Sequence, residues 1–506
     1  MGRQDRRFII GVLVLAAFLR LYKIGSQSLW IDEILTYTVS NPKAGLNIWD
    51  YLKYNIHGPL HSFVVYLFNL VSNNDSWLRL PSALAGTASV YVFFKWVDFW
   101  LGRSLARAST FLFAIHPLLI HYSQELRNYS FLFFFAVMAS YIFHRSVEDD
   151  RKRNYLYYAV ILAFAALSNF TAAFLYVVHT VIYFLRKGFN RASVLRWILV
   201  GLTVLALISP WAYRIYKVID FSKLVTPVKP GELTMTDRLR GETTFTPSAL
   251  PYTAYTFSVG FTCGPSLREL HHNPSLSSVI ASHAPVVIWV GLIFGSLSIV
   301  GICALTRQPR QLIEVALYLF IPILLTLFLC WQNAKAFNVR YVLLSLPAYL
   351  CLIAAALRAL PNRLGIVLWS AVVVTICWSL GNHYFNDRYE KEDVRGAAWY
   401  LDARVDRNEC ILVPTVTEVF THYFKRPSPV FKVFSPRGTP KHAVENQLEP
   451  LFATCDSFWY VRAREWVDDP QGFLTEALEA RSVSVESIDF AGVRLIKFVP
   501  KKPRRR

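Results

Sequence analysis

The stretch His57-Gly58-Pro59-Leu60-His61-Ser62-Phe63-Val64-Val65-Tyr66-Leu67-Phe68-Asn69-Leu70-Val71 decides the topology of this chain. Its apolar part, Leu60 to Val71, would reach only about 18 Å as a helix, against a hydrocarbon core of about 30 Å. Pro59 fits the first turn of such a helix. The stretch reads as an amphipathic helix lying at a membrane interface and not crossing it. Counting it as a span would reverse the side of every later loop.

The need for a membrane comes from composition. Of 506 residues, 54% are hydrophobic and 17% charged, where soluble domains carry roughly 45–50% and about 25%. The chain has 37 Phe, 26 Tyr and 14 Trp, as a polytopic membrane protein does. Its net charge of +19 invites a nucleic-acid reading, but the apolar fraction argues against one. Disorder, collagen and a disulfide-dense secreted domain are excluded as well. Of the seven Cys, Cys303, Cys330, Cys351 and Cys377 sit in apolar runs and read as packing residues. Cys263, Cys410 and Cys455 lie in polar segments. A Cys410–Cys455 bridge requires that part of the chain to lie outside the cytoplasm and stays open at this point.

About eleven spans are expected, at 8–24, 78–100, 104–121, 129–147, 155–169, 171–186, 193–213, 284–305, 311–331, 339–358 and 363–381. The first reads as a span and not a cleavable signal peptide. With the N-terminus inside, the cytoplasmic segments hold 17 basic residues, from Arg3 through Arg363, and four acidic ones: Asp5, Glu148, Asp149 and Asp150. The short outer loops hold almost none, Arg127 and Lys335 apart. This is the positive-inside pattern, and it predicts an N-in/C-out, multi-pass protein of the cytoplasmic (inner) membrane. Three segments then fall outside: a first outer loop 25–77, a long loop 214–283 and the C-terminal 382–506. The last is nearly neutral, with 20 Lys+Arg and 18 Asp+Glu. Helical patterns at Val394–Val405 and Phe473–Ala480 alternate there with strand patterns at Ile411–Val413, Phe458–Val461, Ser482–Ile488 and Val493–Val499. The expected division is a membrane domain, 1–381, and a small extracytoplasmic α/β domain, 382–506.

Polar groups gather on the predicted outer face. Ser28-Leu29-Trp30-Ile31-Asp32-Glu33 follows the first span. A carboxylate at headgroup depth could serve as general base or hold a metal; the plainer reading is an acidic first helical turn. His57 and His61 share a helix face and could bind metal or phosphate, or be solvated interface histidines. His121-Tyr122-Ser123-Gln124-Glu125-Leu126-Arg127-Asn128-Tyr129 packs much polarity between two spans, which costs free energy without a cavity or partner. Arg127 suits a phosphate, or simply pairs with Glu125. Asn338-Val339-Arg340-Tyr341 offers a second phosphate-binding Arg, or an interfacial anchor. His271 and His272 are adjacent and point apart. No Gly-rich phosphate loop is present, so a nucleotide substrate has no visible cradle. No acidic residue sits clearly at a membrane midplane, which weakens a transporter reading.

These clusters occur in an order that resembles the GT-C glycosyltransferases. Leu29-Trp30-Ile31-Asp32-Glu33 resembles the acidic motif of their first outer loop, and His57-Gly58-Pro59-Leu60 their His-Pro-Pro-Leu signature, with Gly58 in place of the first Pro. Arg79-Leu80-Pro81-Ser82, Ser123 to Tyr129, Arg340-Tyr341 followed by Pro347, and Lys391-Glu392-Asp393-Val394-Arg395-Gly396 are similar to the bacterial branch of the protein O-mannosyltransferase-like family, family 39, and to galacturonosyltransferases of lipopolysaccharide cores. The resemblance implies an all-α GT-C membrane fold and transfer of a sugar from a polyprenyl-phosphate donor to a glycan, lipid or protein acceptor on the outer face. It implies Asp32 as general base in an inverting reaction, with Glu33 assisting or binding. His57, Glu125, Arg127, Tyr129, Arg340 and Tyr341 would contact the donor phosphate or sugar. Some members bind a divalent metal and others do not, so the metal ligands stay unassigned. The alternatives are a lipid or polysaccharide transporter and a non-catalytic membrane scaffold.

Overall fold

The computed structural model describes residues 2–41, 58–218, 247–272, 275–331, 337–406, 408–435 and 439–501. A helical body comes first: α1 (Arg3–Leu21), α2 (Ile31–Val39), α3 (Pro59–Asn69), α4 (Asp75–Trp100), α5 (Arg103–Ile115), α6 (Pro117–Ser123), α7 (Tyr129–Asp149), α8 (Lys152–Ser168), α9 (Ala172–Lys187), α10 (Arg191–Val218), α11 (Ala249–Val259), α12 (Ala284–Leu305), α13 (Pro309–Trp331), α14 (Leu346–Ala359) and α15 (Asn362–Phe385). Among the described residues, five stretches are long and apolar enough to cross a membrane: Tyr129–Asp149, Arg191–Arg214, Ala284–Leu305, Pro309–Trp331 and Asn362–Phe385. Their outward faces stay apolar, as Leu199, Leu202 and Leu205 on α10 and Ile288, Leu292 and Ile299 on α12 show. Such bare stripes are what a lipid-facing helix presents.

Two expected spans are broken. His116 precedes Pro117, and a residue before proline is pushed out of the helical region; it is extended (φ −66°, ψ 122°), so 104–121 divides into α5 and α6. The segment expected as one helix over 339–358 starts instead as two 3₁₀ turns, Val339–Tyr341 and Leu343–Ser345, and becomes α-helical only at Leu346, where Pro347 occupies the first turn. By contrast α3 has 11 residues, about 16 Å of helix, so it remains far too short to span.

The two ends of the body differ. One end carries basic residues in mutual ion pairs: Asp5 with Arg103 and Arg107, Asp150 with Lys187 and Arg196, and Glu314 with Arg186 at 2.6 Å. At the other end lie the α1–α2 connection, the turn between α6 and α7, the 3₁₀ turn at 339–341 and the segment leaving α15.

After α15 the chain builds α16 (Val394–Arg404), β1 (Cys410–Leu412), α17 (Thr417–Tyr423), β2 (Val430–Phe431), α18 (Lys441–Thr454), β3 (Phe458–Ala463), α19 (Phe473–Arg481), β4 (Ser482–Phe490) and β5 (Val493–Pro500). The sheet order is β2-β1-β3-β5-β4. β2, β1 and β3 run parallel, with Ile411 beside Val430 and Trp459, while β5 is antiparallel to both β3 and β4. Parallel neighbours need helical crossovers, and α17 and α18 supply them. One buried cluster joins Val394, Ala397, Phe420, Trp459 and Leu495 of this unit to Leu29, Ile34, Val65, Leu78 and Leu126 of the helical body. The unit is therefore fused to the body through a common core at the end that holds the polar clusters.

Cys410 and Cys455 form a disulfide that links β1 to the end of α18, closing a loop of sequence separation 45. Loop-closure entropy puts its contribution near 4 kcal/mol. Replacing both cysteines with Ser should therefore lower the melting temperature of the purified protein by several degrees. A scan in detergent that shows no change would contradict this account.

Candidate active site

Asp32 and Glu33 open α2, and consecutive helical residues diverge by about 100° around the axis. Glu33 points inward and its side chain is 0% exposed, while that of Asp32 is 24% exposed. Both oxygens of Glu33 are engaged. Arg79 Nε donates to Oε1 and Arg79 Nη2 to Oε2, each at 2.8 Å; Leu126 N donates to Oε1 at 2.7 Å; Trp30 N and Lys391 Nζ lie 3.4 and 3.3 Å from Oε2. Burial works to raise the Glu33 pKa, but the charges of Arg79 and Lys391 outweigh it and hold the carboxyl below its ordinary range. The expectation that Glu33 acts chemically beside Asp32 does not fit this placement. A carboxylate with both oxygens engaged in the core is a structural tie.

Arg79 explains the tie's rigidity. Its remaining donors bind the carbonyls of Ile24 (3.0 Å), Gln27 (2.9 Å) and Ser28 (3.1 Å). One guanidinium thus fixes the loop before α2 as well as α2 itself. Gly25 belongs to that loop, where an added Cβ would lie 1.9 Å from Ser76 Oγ.

On the other side of α2, two guanidiniums converge on Asp32. Arg340 Nη1 donates to Oδ2 at 3.0 Å, and Arg127 Nη2 lies 3.7 Å from the same oxygen. Arg127 is steered there by its Nη1, which donates to the Asp32 carbonyl (2.8 Å) and to Thr36 Oγ1 (3.1 Å). The 3₁₀ turn that carries Arg340 is set by Asn338, whose Oδ1 accepts the Arg340 N–H at 3.1 Å. Tyr129 lies under Arg127, with the guanidinium carbon 6.0 Å from its ring centroid, and Tyr341 under Arg340 at 5.4 Å. Two cations on aromatic faces around one half-exposed carboxylate form a place where an anionic group can bind.

Glu125 does not form the pair with Arg127 that the spacing allows. It is buried against Lys391 Nζ at 2.8 Å and His121 Nε2 at 3.3 Å. Burial raises its pKa, but Lys391 and His121 outweigh that effect and keep it well below the carboxylate range. Its other oxygen, Oε2, has no hydrogen-bond partner among the described residues. His57 lies outside the described residues. Its helical neighbour His61 is buried, shares a hydrogen bond with Ser82 Oγ (3.3 Å) and packs edge-on against Phe131. Burial and the Arg127 charge push it down to about 3, so it is neutral. Gly58, where the signature has proline, meets the end of α8: a Cβ there would lie 2.0 Å from the Leu167 carbonyl oxygen. Among the described residues no three His, Cys, Asp or Glu side chains cluster as a metal site. His271 stacks on Trp466 of the C-terminal unit, at 5.5 Å between ring centroids.

The sequence reading picked out Arg79 and Lys391 only inside motifs and gave neither a role in the site. Arg79 has one local signal, a cation beside an apolar run; Lys391 stands among other charged residues and has none. Arg79 and Lys391, which both hold Glu33, also line a small polar cleft with Lys23, Gln27, His121, Gln124 and His383.

Residues 56–213 match the family model described as dolichyl-phosphate-mannose-protein mannosyltransferase. No curated protein matches the chain in sequence. The fold aligns with ArnT from Cupriavidus metallidurans bound to undecaprenyl phosphate, at 13% identity over 98% of each chain and a TM-score of 0.55. It also aligns with the Archaeoglobus fulgidus oligosaccharyltransferase, at 10% identity over 95% of this chain and 73% of that one, TM-score 0.53. A third match is the mycobacterial arabinofuranosyltransferase AftD, at 14% identity over 98% of this chain and 41% of that one, TM-score 0.51. The fold is the GT-C glycosyltransferase fold, and the matched region carries the pattern of its protein O-mannosyltransferase-like type. The chain is a multi-pass membrane protein of that fold.

The buried tie generates a stability prediction. Breaking a buried pair from one side costs about 3–5 kcal/mol, because the other charge is stranded. Arg79→Met should sharply lower the amount of folded protein in the membrane, and the double variant Arg79→Met/Glu33→Gln should recover part of it. Equal stability of the single and double variants, measured by thermal unfolding, would refute the pairing account.

Proposed function

We propose that the chain is a membrane glycosyltransferase that moves a sugar from a polyprenyl-phosphate-linked donor to an acceptor hydroxyl at the membrane interface. The observation that carries this reading is the convergence of Arg340 and Arg127 on the half-exposed Asp32 carboxylate. In the unliganded site the single Asp32 carboxylate faces both cations and leaves one positive charge uncompensated. A donor phosphate arriving there competes for the guanidiniums and brings negative charge close to Asp32. With the guanidiniums engaged by the phosphate, the Asp32 carboxylate is free to accept the proton of an acceptor hydroxyl, as a general base does.

The acceptor oxygen attacks the anomeric carbon of the donor sugar while Asp32 takes the hydroxyl proton. The bond from that carbon to the phosphate oxygen breaks, and polyprenyl phosphate leaves with the electron pair, so the anomeric configuration inverts. Arg127 and Arg340 stabilise the charge that grows on the phosphate, with Tyr129 and Tyr341 beneath them. Glu33 keeps the base in place and takes no part in the chemistry. ArnT and the archaeal oligosaccharyltransferase have been seen with undecaprenyl phosphate and dolichol phosphate respectively, which supports a polyprenyl phosphate as the lipid here. The basic end of the body faces the cytoplasm by the positive-inside rule. On this reading, which the positive-inside rule supports, the site and the 382–506 domain lie on the extracytoplasmic side of the inner membrane.

Two substitutions test the reading. Asp32→Asn keeps the backbone carbonyl that Arg127 uses, so the protein should reach the membrane in normal amount while transfer falls at least ~100-fold. The readout is mass spectrometry of envelope glycans and glycoproteins from a deletion strain complemented with each variant. Full restoration by Asp32→Asn would eliminate Asp32 as the base. Arg340→Ala removes a charged hydrogen-bond donor, and the affinity of the purified protein for undecaprenyl phosphate should fall about 10–100-fold. Unchanged affinity would place the lipid phosphate elsewhere.

A further inference from the structure

The charge that connects the two halves of the site comes from the segment leading into the C-terminal unit. Lys391 Nζ lies 2.8 Å from Glu125 and 3.3 Å from Glu33, and its ammonium sits over the Trp30 ring at 5.7 Å. The side chains it touches are 3% and 0% exposed. Its own position is fixed by neighbours on both sides. The Glu392 carbonyl accepts from Ser28 Oγ at 2.6 Å, Asp393 N donates to the Ala491 carbonyl at 2.7 Å, and Arg395 Nη1 reaches Asp75 at 3.0 Å and the Gly25 carbonyl at 3.0 Å. Tyr423 of α17 closes the joint, accepting from Leu29 N (2.9 Å) and donating to Asp75 (2.7 Å).

Glu125 stands two residues from Arg127, in a turn whose central amide, Leu126 N, is held by Glu33. His121 also reaches Glu125, at 3.3 Å, but an imidazole is charged only when protonated; without Lys391 the buried carboxylate lacks a permanent cation, and the nearby Arg127 becomes the strongest partner available to it. An Arg127 turned toward Glu125 is an Arg127 turned away from Asp32 and from an incoming phosphate.

We propose that Lys391 is a positioning residue for the donor site: by occupying Glu125 it keeps Arg127 directed at Asp32, and so makes phosphate binding depend on the docked C-terminal segment. This rests on the reading of Arg127 and Arg340 as phosphate ligands and deepens it. Lys391 touches no substrate; it acts through Glu125.

The test uses the full chain in lipid nanodiscs with undecaprenyl phosphate as probe, and a thermal melt of each sample. Lys391→Met should weaken binding about five-fold or more, as expected when one cation is drawn into a competing pair. Lys391→Met/Glu125→Gln, which removes the competing carboxylate, should return the affinity to within about two-fold of the parent, and Lys391→Arg should do the same. A lysine that only stabilises the fold would shift melting temperatures and leave these affinities equal. Where Lys391→Met does not fold, Lys391→Gln, which retains a donor between the carboxylates, replaces it in the same comparison. The inference is overturned if the single variant binds like the parent, or if the double variant binds no better than the single one. Failure of the parent itself to bind the probe would instead overturn the phosphate reading, and this inference with it.

Discussion

The site depends on one buried ion pair, Arg79 with Glu33. Taking two charges out of water costs several kcal/mol per ion unless their hydrogen bonds are fully satisfied. Here they are. The guanidinium spends five donors on five acceptors: both oxygens of Glu33 and the carbonyls of Ile24, Gln27 and Ser28. The carboxylate accepts in turn from Trp30 N and Leu126 N and is approached by Lys391. An arrangement so completely used cannot drift. It fixes the start of α2, and with it the direction in which Asp32 points.

Adjacent residues thus divide the work. Glu33 is buried; Asp32, one helical step earlier, is partly exposed and faces two cations on a different wall. The pattern continues through the turn between α6 and α7, where buried Glu125 is consumed by Lys391 and His121 while Arg127 faces Asp32. In both places the chain puts one residue into the scaffold and turns a near neighbour toward the charged cluster of Asp32, Arg127 and Arg340. The 3₁₀ turn at 339–341 supplies the last cation from a span that fails to begin where its hydrophobicity starts.

Much of this was legible in the sequence, and the illegible part has a common cause. The short helix after Pro59, the polar clusters and the strands at 410–412, 458–463, 482–490 and 493–500 all follow from local length, periodicity and composition. Breaks at His116-Pro117 and before Leu346 were missed because apolar content dominated over the proline signals inside those runs. β2, with two residues, and α17 and α18 left no clear periodicity. In the site, Asp32 and Glu33 look alike as adjacent acids; only burial separates them. Lys391 and Glu33 are 358 residues apart, and no spacing rule reaches that far. Gly58 looks like a departure from a signature until the Leu167 carbonyl comes within reach of its missing Cβ.

The shared core between the C-terminal unit and the start of the chain bears on how the protein is made. At about 5–20 residues per second of synthesis, Lys391 leaves the ribosome roughly 20–70 s after Glu33. Through that interval the helices around α2 can already sit in the bilayer, yet the carboxylates of Glu33 and Glu125 lack the ammonium that separates them, and Leu29 and Ile34 lack their cover. A nascent chain stopped anywhere before residue 391 is left with an incomplete polar centre. Translation order alone therefore withholds the finished site until the final segment has folded back onto the first loop.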